Sequence, residues 1–280
     1  HHPPYPPPPP QQPLDPASGP RSLLRMTSND TAEPTPQPAS LPGAALVTGA
    51  ARRIGRAIAL DLARQGWNVA VHANNSRDEA DALAREIETL GRRAAVLSAE
   101  LTNEDDVARL VPDAVAALGP LGLLVNNASI FEQDDIASMD RQGWDRHMEA
   151  NLRAPALLIQ HFAAALPPEA EGVVVNIIDQ RVLHPGPDFL SYTLSKSGLW
   201  TLTRTLALAL APRIRVNAIG PGPVLRSIHQ SEADFAAEVE SVPLRRQTEL
   251  AEICRAIGFI VSARSMTGQM IALDGGQHLS

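Results

Sequence analysis

The segment Ala44-Ala45-Leu46-Val47-Thr48-Gly49-Ala50-Ala51-Arg52-Arg53-Ile54-Gly55 decides the fold. Four apolar residues run without alternation into a glycine turn. A helical pattern follows from Ile54 to Gln65 and closes at Gly66. A continuous apolar run of this kind marks a strand buried on both faces. Gly49 lets the chain turn, and Gly55 lets the helix start close to the strand. Such a turn aims backbone N–H groups and a helix N-terminus at a pyrophosphate. The spacing is not G-x-G-x-x-G, so by itself it also fits a plain strand-to-helix connection.

The same alternation continues along the chain. Short apolar runs recur at Asn68 to Val71, Ala94 to Leu97, Leu123 to Val125, Val173 to Ile178, Ile214 to Ile219 and Met270 to Leu273. Helical stretches lie between them. Arg77 to Leu90 ends at Gly91, and Glu104 to Leu118 ends at Gly119 after Asn103 as a cap. Seven buried strands separated by helices predict an α/β fold, a parallel seven-stranded sheet in one doubly wound Rossmann-type domain over residues 43–280. Residues 1–42 hold 14 of the 25 prolines and almost no large apolar side chain, so a disordered proline-rich extension is expected there. The first residue is His1 and the first methionine is Met26, where the true start is a possibility left open.

Charge and composition narrow the function. Of 24 basic residues, 23 are arginine and one is Lys196, and the formal net charge is −7. That balance argues against nucleic acid or an anionic membrane as partner. No apolar run approaches the roughly 18 residues of a membrane span, and no signal-peptide pattern occurs. The single cysteine, Cys254, allows no internal disulfide and suits a cytoplasmic protein. The histidines show no metal-ligand spacing, so no metal is expected. A small-molecule substrate remains.

The turn suggests which dinucleotide it would hold. Arg52 and Arg53 stand where phosphate would lie. The second strand ends at His72-Ala73-Asn74-Asn75-Ser76, where an acid would grip a ribose 2′-hydroxyl and repel a 2′-phosphate. This tip is neutral and hydrogen-bonding, and Asp78 and Glu79 come only in the next helix. Arginine without an acid favours NADP, with Asn74 and Ser76 as further contacts.

Tyr192-Thr193-Leu194-Ser195-Lys196 opens a helical stretch from Ser191 to Leu210. Residues four apart share a helix face, so Tyr192 and Lys196 meet one site. A nearby ammonium is expected to lower the phenol from its ordinary value of about 10 and ease proton transfer. Y-x-x-x-K alone is a weak signal. Here, however, arginine serves everywhere else, and Tyr192 is the only tyrosine outside the proline-rich segment.

These residues resemble the short-chain dehydrogenase/reductase family over essentially all of 43–280. The likeness rests on Thr48-Gly49 with Gly55, Asn126-Asn127-Ala128, Asn151, Tyr192-x-x-x-Lys196, Pro221-Gly222, Thr267-Gly268-Gln269 and Asp274-Gly275-Gly276. The resemblance implies a Rossmann domain, a nicotinamide cofactor and a homotetramer or dimer, the tetramer being the expectation here. It implies Tyr192 as proton donor, and Lys196 on the nicotinamide ribose. Asn126 and Ala128 would line the cofactor cleft, and Asn151 would hold a water in the proton path. With Gly49, Ile54 and Gly55 at the turn, the Pro221-Gly222 backbone would border the nicotinamide.

Two positions depart from the common pattern. Most members carry a serine about 13 residues before the tyrosine; here Asp179 stands there, and no serine occurs between Met139 and Leu190. Arg53 replaces the middle glycine of the turn. Both departures resemble the pteridine reductases and bacterial dihydromonapterin reductases of the family, as does Asn127-Ala128-Ser129-Ile130-Phe131, whose aromatic ring would stack on a pterin beside Ser129. A carboxylate beside Tyr192 opposes phenolate formation and keeps a proton available for a ring nitrogen. It also matches the N–H donors of a 2-amino-4-oxo pteridine. The expectation is an NADPH-dependent pterin reductase. The alternatives are a reductase of a 3-oxoacyl thioester or small ketone and, remotely, a non-catalytic NADP-binding protein. Trp67, Trp144 and Trp200 are read as packing residues, His184 and His229 as solvated, Cys254 as buried and inert, and Glu232 to Glu240 as the solvated face of a segment that closes over substrate.

Overall fold

The run Ala44–Val47 is strand β1, and all four residues are buried. The computed structural model describes residues 40–226 and 230–280. The expected disordered extension therefore lies outside the described residues up to residue 39, as does His229. β1 belongs to a seven-stranded sheet with β2 (Asn68–Ala73), β3 (Ala94–Ser98), β4 (Leu121–Asn126), β5 (Gly172–Ile177), β6 (Ile214–Pro221) and β7 (Met270–Leu273). All pairings are parallel, in the order β3-β2-β1-β4-β5-β6-β7. Chain order reverses between β1 and β4, so a crevice opens beyond their carboxyl ends.

Side-chain alternation along the strands builds two cores. Ala45 and Val47 face one side, with Ile58, Leu62, Leu83 and Ile257. Leu46 faces the other, with Leu110, Leu158, Phe162 and Val216. The first side is covered by α1 (Arg53–Arg64), α2 (Arg77–Thr89) and α8 (Leu250–Ser262); the second by α3 (Glu104–Leu118), α5 (Ala154–Ala165) and α6 (Leu190–Ala209). Two shorter helices, α4 (Arg141–Met148) and α7 (Glu232–Ser241), complete the set. A π-helical turn, Glu149–Arg153, joins α4 to α5.

Boundaries follow local hydrogen bonding. Asn103 caps α3 as its spacing predicts, accepting from Asp105 N at 3.0 Å and Asp106 N at 3.3 Å. The β5 run reads on to Ile178 because Ile178 N still donates to Ile219 O at 2.8 Å beyond the last strand residue. Trp67 and Trp200 pack against the apolar clusters. Cys254 is buried, and burial pushes its thiol up to about 11, which removes thiolate reactivity near neutral pH. Among the described residues no helix is long and apolar enough to cross a membrane, and no group of His, Cys, Asp or Glu is arranged to hold a metal ion.

Candidate active site

The glycine turn is built by close approach. Gly49 has φ +61°, and a Cβ on Gly55 would collide with Gly49 O, so α1 starts against the turn only because residue 55 has no side chain. Asn127 holds the turn from across the sheet, donating from Nδ2 to Thr48 O at 2.9 Å and Gly49 O at 3.2 Å. Thr48 Oγ1 accepts from Asn127 N and Ala128 N, each at 3.0 Å. His72 braces the turn from β2. Its Nδ1 accepts from Gly49 N at 3.1 Å, and Nε2 lies 3.1 Å from Ala99 O. Those partners place the proton on Nε2, and burial lowers the ring's pKa, so His72 is a neutral strut. Sequence reading singled out neither Asn127 nor His72 for this duty.

The two arginines part company. Arg52 donates to Ser76 Oγ and lies 3.7 Å from Glu79. Asn74 donates to Glu100, an acid carried after β3. The neutral tip read from sequence thus gains two carboxylate neighbours from other segments. Arg53 adopts φ 53°, the left-handed backbone that glycine usually supplies. Its guanidinium reaches Arg226 O and Leu225 O, both at 3.0 Å, and ties the turn to the loop after β6.

Between this turn and α6 lies a cavity of about 590 Å³, bordered among others by Arg53, Ile54, Ser129, Phe131, Pro221 and Gly222. A Cβ on Gly222 would stand 2.7 Å from Asp274 Cα, so that wall too depends on a bare backbone. Asp179, Tyr192 and Lys196 border the same cavity. α7 supplies Asp234, Phe235 and Glu238 to its mouth and has no buried residue. His184 is exposed and is not among the lining residues.

Tyr192 and Lys196 share a face of α6, and both are buried. Tyr192 Oη donates to Asp179 Oδ2 at 2.7 Å. Asp179 precedes a 3-10 turn, Gln180–Val182, and its Oδ1 accepts from Arg181 N at 2.8 Å, which orients the carboxylate. Burial raises the Asp179 carboxyl, opposed by the bonds from Arg181 N and Tyr192. Tyr192 is pushed well above 10 by burial first, then by the charge and hydrogen bond of Asp179. The expected lowering of the phenol by Lys196 is therefore not found: the carboxylate and burial win, and the tyrosine stays protonated. Lys196 Nζ donates to Ile177 O at 2.9 Å, and burial pushes it down to about 8.

Asn126, expected to line the cofactor cleft, and Asn151, expected in the proton path, spend their side chains on other partners. Asn126 turns into the sheet and donates from Nδ2 to Asn176 Oδ1 at 2.8 Å, so its neighbour Asn127 faces the cavity instead. Asn151, expected to hold a water, has its side chain fully engaged. Oδ1 accepts from Ile130 N at 2.8 Å and Ser129 Oγ at 3.3 Å, and Nδ2 donates to Ile130 O at 2.9 Å and Ser195 Oγ at 3.1 Å. It is a clamp between the Ser129–Ile130 loop and α6.

Phe131 is 41% exposed. Its ring stacks on Phe189 with centroids 4.4 Å apart and 5° between planes. It also meets Tyr192 at 4.7 Å and 80°. A flat apolar surface thus adjoins the tyrosine–aspartate pair. The donor set also fits a dinucleotide: bare-backbone walls at Gly49, Gly55 and Gly222, an arginine reaching the strand-two tip, and a buried ammonium with one acceptor among the described residues for its three N–H groups.

Comparison with known proteins agrees with that geometry. A family model described as enoyl-(acyl carrier protein) reductase matches residues 49–278. The 3-oxoacyl-[acyl-carrier-protein] reductase FabG of Staphylococcus epidermidis is 34% identical over 240 residues, covering 84% of this chain and 98% of that protein. The structure of FolM alternative dihydrofolate reductase 1 from Brucella canis, complexed with NADP, is 51% identical with TM-score 0.81, covering 85% of this chain and 94% of that one. A blue fluorescent protein from a metagenomic library, in complex with NADPH, is 32% identical with TM-score 0.79, covering 83% and 96%.

Proposed function

The chain belongs to the short-chain dehydrogenase/reductase family, and within it we propose an NADPH-dependent reductase of a pterin ring, acting at a C=N bond. The observation that carries this reading is the bond from Tyr192 Oη to Asp179 Oδ2, with the phenol held well above 10. A ketone reductase needs donors on a carbonyl oxygen. Here the residue beside the tyrosine is an acceptor, which suits the N–H groups of an aminopteridine. The 51% identity to a protein named a dihydrofolate reductase supports the same ring class.

When bound, NADPH supplies the hydride. The turn at Gly49 to Gly55, with Arg52, Ser76 and Asn74, would hold its phosphates and adenosine ribose, and Lys196 its nicotinamide ribose. Tyr192 would give its proton to the ring nitrogen, and Asp179 would accept the ring's N–H donors while keeping the tyrosine protonated. Phe131 and Arg53 would hold the ring, with Ser129 beside it. We assign this activity to residues 43–280, and carry over from the family a cytoplasmic homotetramer. Neither nucleic acid nor membrane is a partner in this reading, which the net charge of −7 supports.

Oxidation of NADPH, followed by absorbance, tests the reading against dihydrobiopterin, dihydromonapterin, dihydrofolate and an acetoacetyl thioester. Turnover of one or more pterins is expected. Turnover of the thioester alone would establish the second reading, which the 34% identical FabG relative favours. The cofactor preference has its own test. Arg52→Gln is expected to raise KM for NADPH about 10–100-fold, the worth of a charge-assisted bond to phosphate, and to leave KM for NADH unchanged. An unaltered KM for NADPH would remove Arg52 from the phosphate site.

A further inference from the structure

Helix α6 presents two i, i+4 pairs side by side. Tyr192 and Lys196 border the cavity, while Ser191 and Ser195, each one residue earlier, are fully buried. Ser195 Oγ donates to Tyr192 O at 2.7 Å and is met by Asn151. Ser191 is met by Asp134. Its N–H donates to Asp134 Oδ1 at 3.0 Å and Oδ2 at 3.3 Å, its hydroxyl donates to the same carboxylate, and Leu190 N donates to Asp134 O at 3.2 Å.

This contact does what a local cap would do. Phe189, at the N-cap position, has φ 52° and makes no side-chain cap bond. The first N–H groups of a helix have no partner within it. Asp134 supplies one from 57 residues away, with a charge that suits the helix dipole. The loop that carries Asp134 also carries Phe131, and Asn151 pins the loop's other end through both backbone groups of Ile130. The loop is thus gripped at Ser191 and Ser195, on either side of Tyr192.

We propose that Asp134 is a positioning residue for the reaction: by capping α6 from the Phe131 loop, it fixes Tyr192 against the surface that receives the substrate. It does not line the cavity. The inference rests on Tyr192 as the acid and Phe131 as the ring surface, and not on which pterin is reduced.

The test compares Asp134→Ala with Asn103→Ala, which removes the cap of α3 away from the cavity. Four quantities are read: kcat, KM for whichever substrate the wild type turns over, Kd for NADPH from its fluorescence, and Tm. Asp134→Ala is expected to lower kcat/KM about 10–100-fold, the range in which a displacement near 1 Å acts, with Kd for NADPH unchanged. Both variants lose a helix cap and are expected to lower Tm by similar amounts, but Asn103→Ala leaves kcat/KM intact. Asp134→Asn, which keeps an acceptor oxygen, should restore most of the loss. Wild-type kcat/KM in Asp134→Ala, an equal loss in Asn103→Ala, or no restoration by asparagine would each overturn the proposal. If Asp134→Ala does not fold, Ser191→Ala is read instead; it removes only the hydroxyl bond, and an unchanged kcat/KM would overturn the proposal. Wild-type turnover of the thioester but no pterin would sink the pterin reading and leave this comparison intact. Should the wild type turn over neither, amide exchange decides: Ser191 protected in the wild type and Asp134→Asn but not in Asp134→Ala supports the cap, and equal protection in all three overturns it.

Discussion

Tyr192→Phe is expected to lower kcat by about 10²–10⁴-fold, the usual contribution of a positioned general acid, while Kd for NADPH changes little. The argument starts from the two neighbours of the hydroxyl. Asp179 accepts its hydrogen bond at 2.7 Å, and burial together with that carboxylate holds the phenol well above 10. A phenol so placed keeps its proton across the working pH range until the substrate takes it. Phenylalanine preserves the ring and its edge contact with Phe131 but has no proton to give. Asp179 then keeps one bond, from Arg181 N at 2.8 Å, and its carboxyl should rise further. A group raised in the folded state favours folding below its unfolded value and loses that contribution as pH rises through the folded one. Wild type and variant should therefore lose Tm in parallel at first, and the variant should fall further behind once pH passes the raised value of the wild-type carboxyl. Steady-state turnover and melting curves over a pH series check both parts. Retention of more than about a tenth of the rate would place the acid elsewhere.

The strands and the Tyr192–Lys196 pair were legible because both are local patterns. Ala44–Val47 and Met270–Leu273 are apolar without interruption, and their ends coincide with the observed strands. The i, i+4 rule needs only a helix. The position of Asp179 relative to Tyr192 was legible as a family departure, but the sign of its effect on the phenol against that of Lys196 was not. That sign depends on burial, which strengthens a carboxylate's influence at a hydroxyl it touches, whereas the ammonium is engaged by Ile177 O. The bracing contacts were not legible at all. His72 meets Gly49 across 23 residues, Asn127 meets Thr48 across 79, and Asp134 meets Ser191 across 57. Each is a polar side chain in a loop or at a strand end, where composition alone suggests solvent. Only the sheet order β3-β2-β1-β4 brings the first two pairs together. Asn126 shows the limit of a motif read in isolation: it is the last residue of β4 and spends its amide on Asn176 within the sheet, whereas Asn127, one residue past the strand, borders the cavity.

Asp179→Ser restores the residue type that most of the family carries, and it should change what the site reduces. For a pterin, kcat/KM is expected to fall about 10–100-fold, the worth of one charge-assisted hydrogen bond, with Kd for NADPH preserved. A serine hydroxyl can donate to a carbonyl oxygen, so the thioester should gain relative to the pterin. The pH dependence separates this from simple damage. Asp179 is the second and third cause of the high Tyr192 value, after burial. Without it the phenol falls, so the loss of activity at alkaline pH should begin at lower pH in the variant than in the wild type. Asp179 also raises Lys196 against the burial that brings it to about 8, so the ammonium should lose its proton earlier as well. Stability moves the other way. The Asp179 carboxyl is raised in the folded protein, so wild-type folding is favoured below the unfolded value and loses ground as pH rises through the folded one. The serine variant lacks this penalty, and its Tm relative to wild type should climb with pH from about 4 upward and then level. Equal pterin rates for the two proteins would remove Asp179 from the mechanism; an unmoved alkaline limb would mean that burial alone keeps Tyr192 protonated.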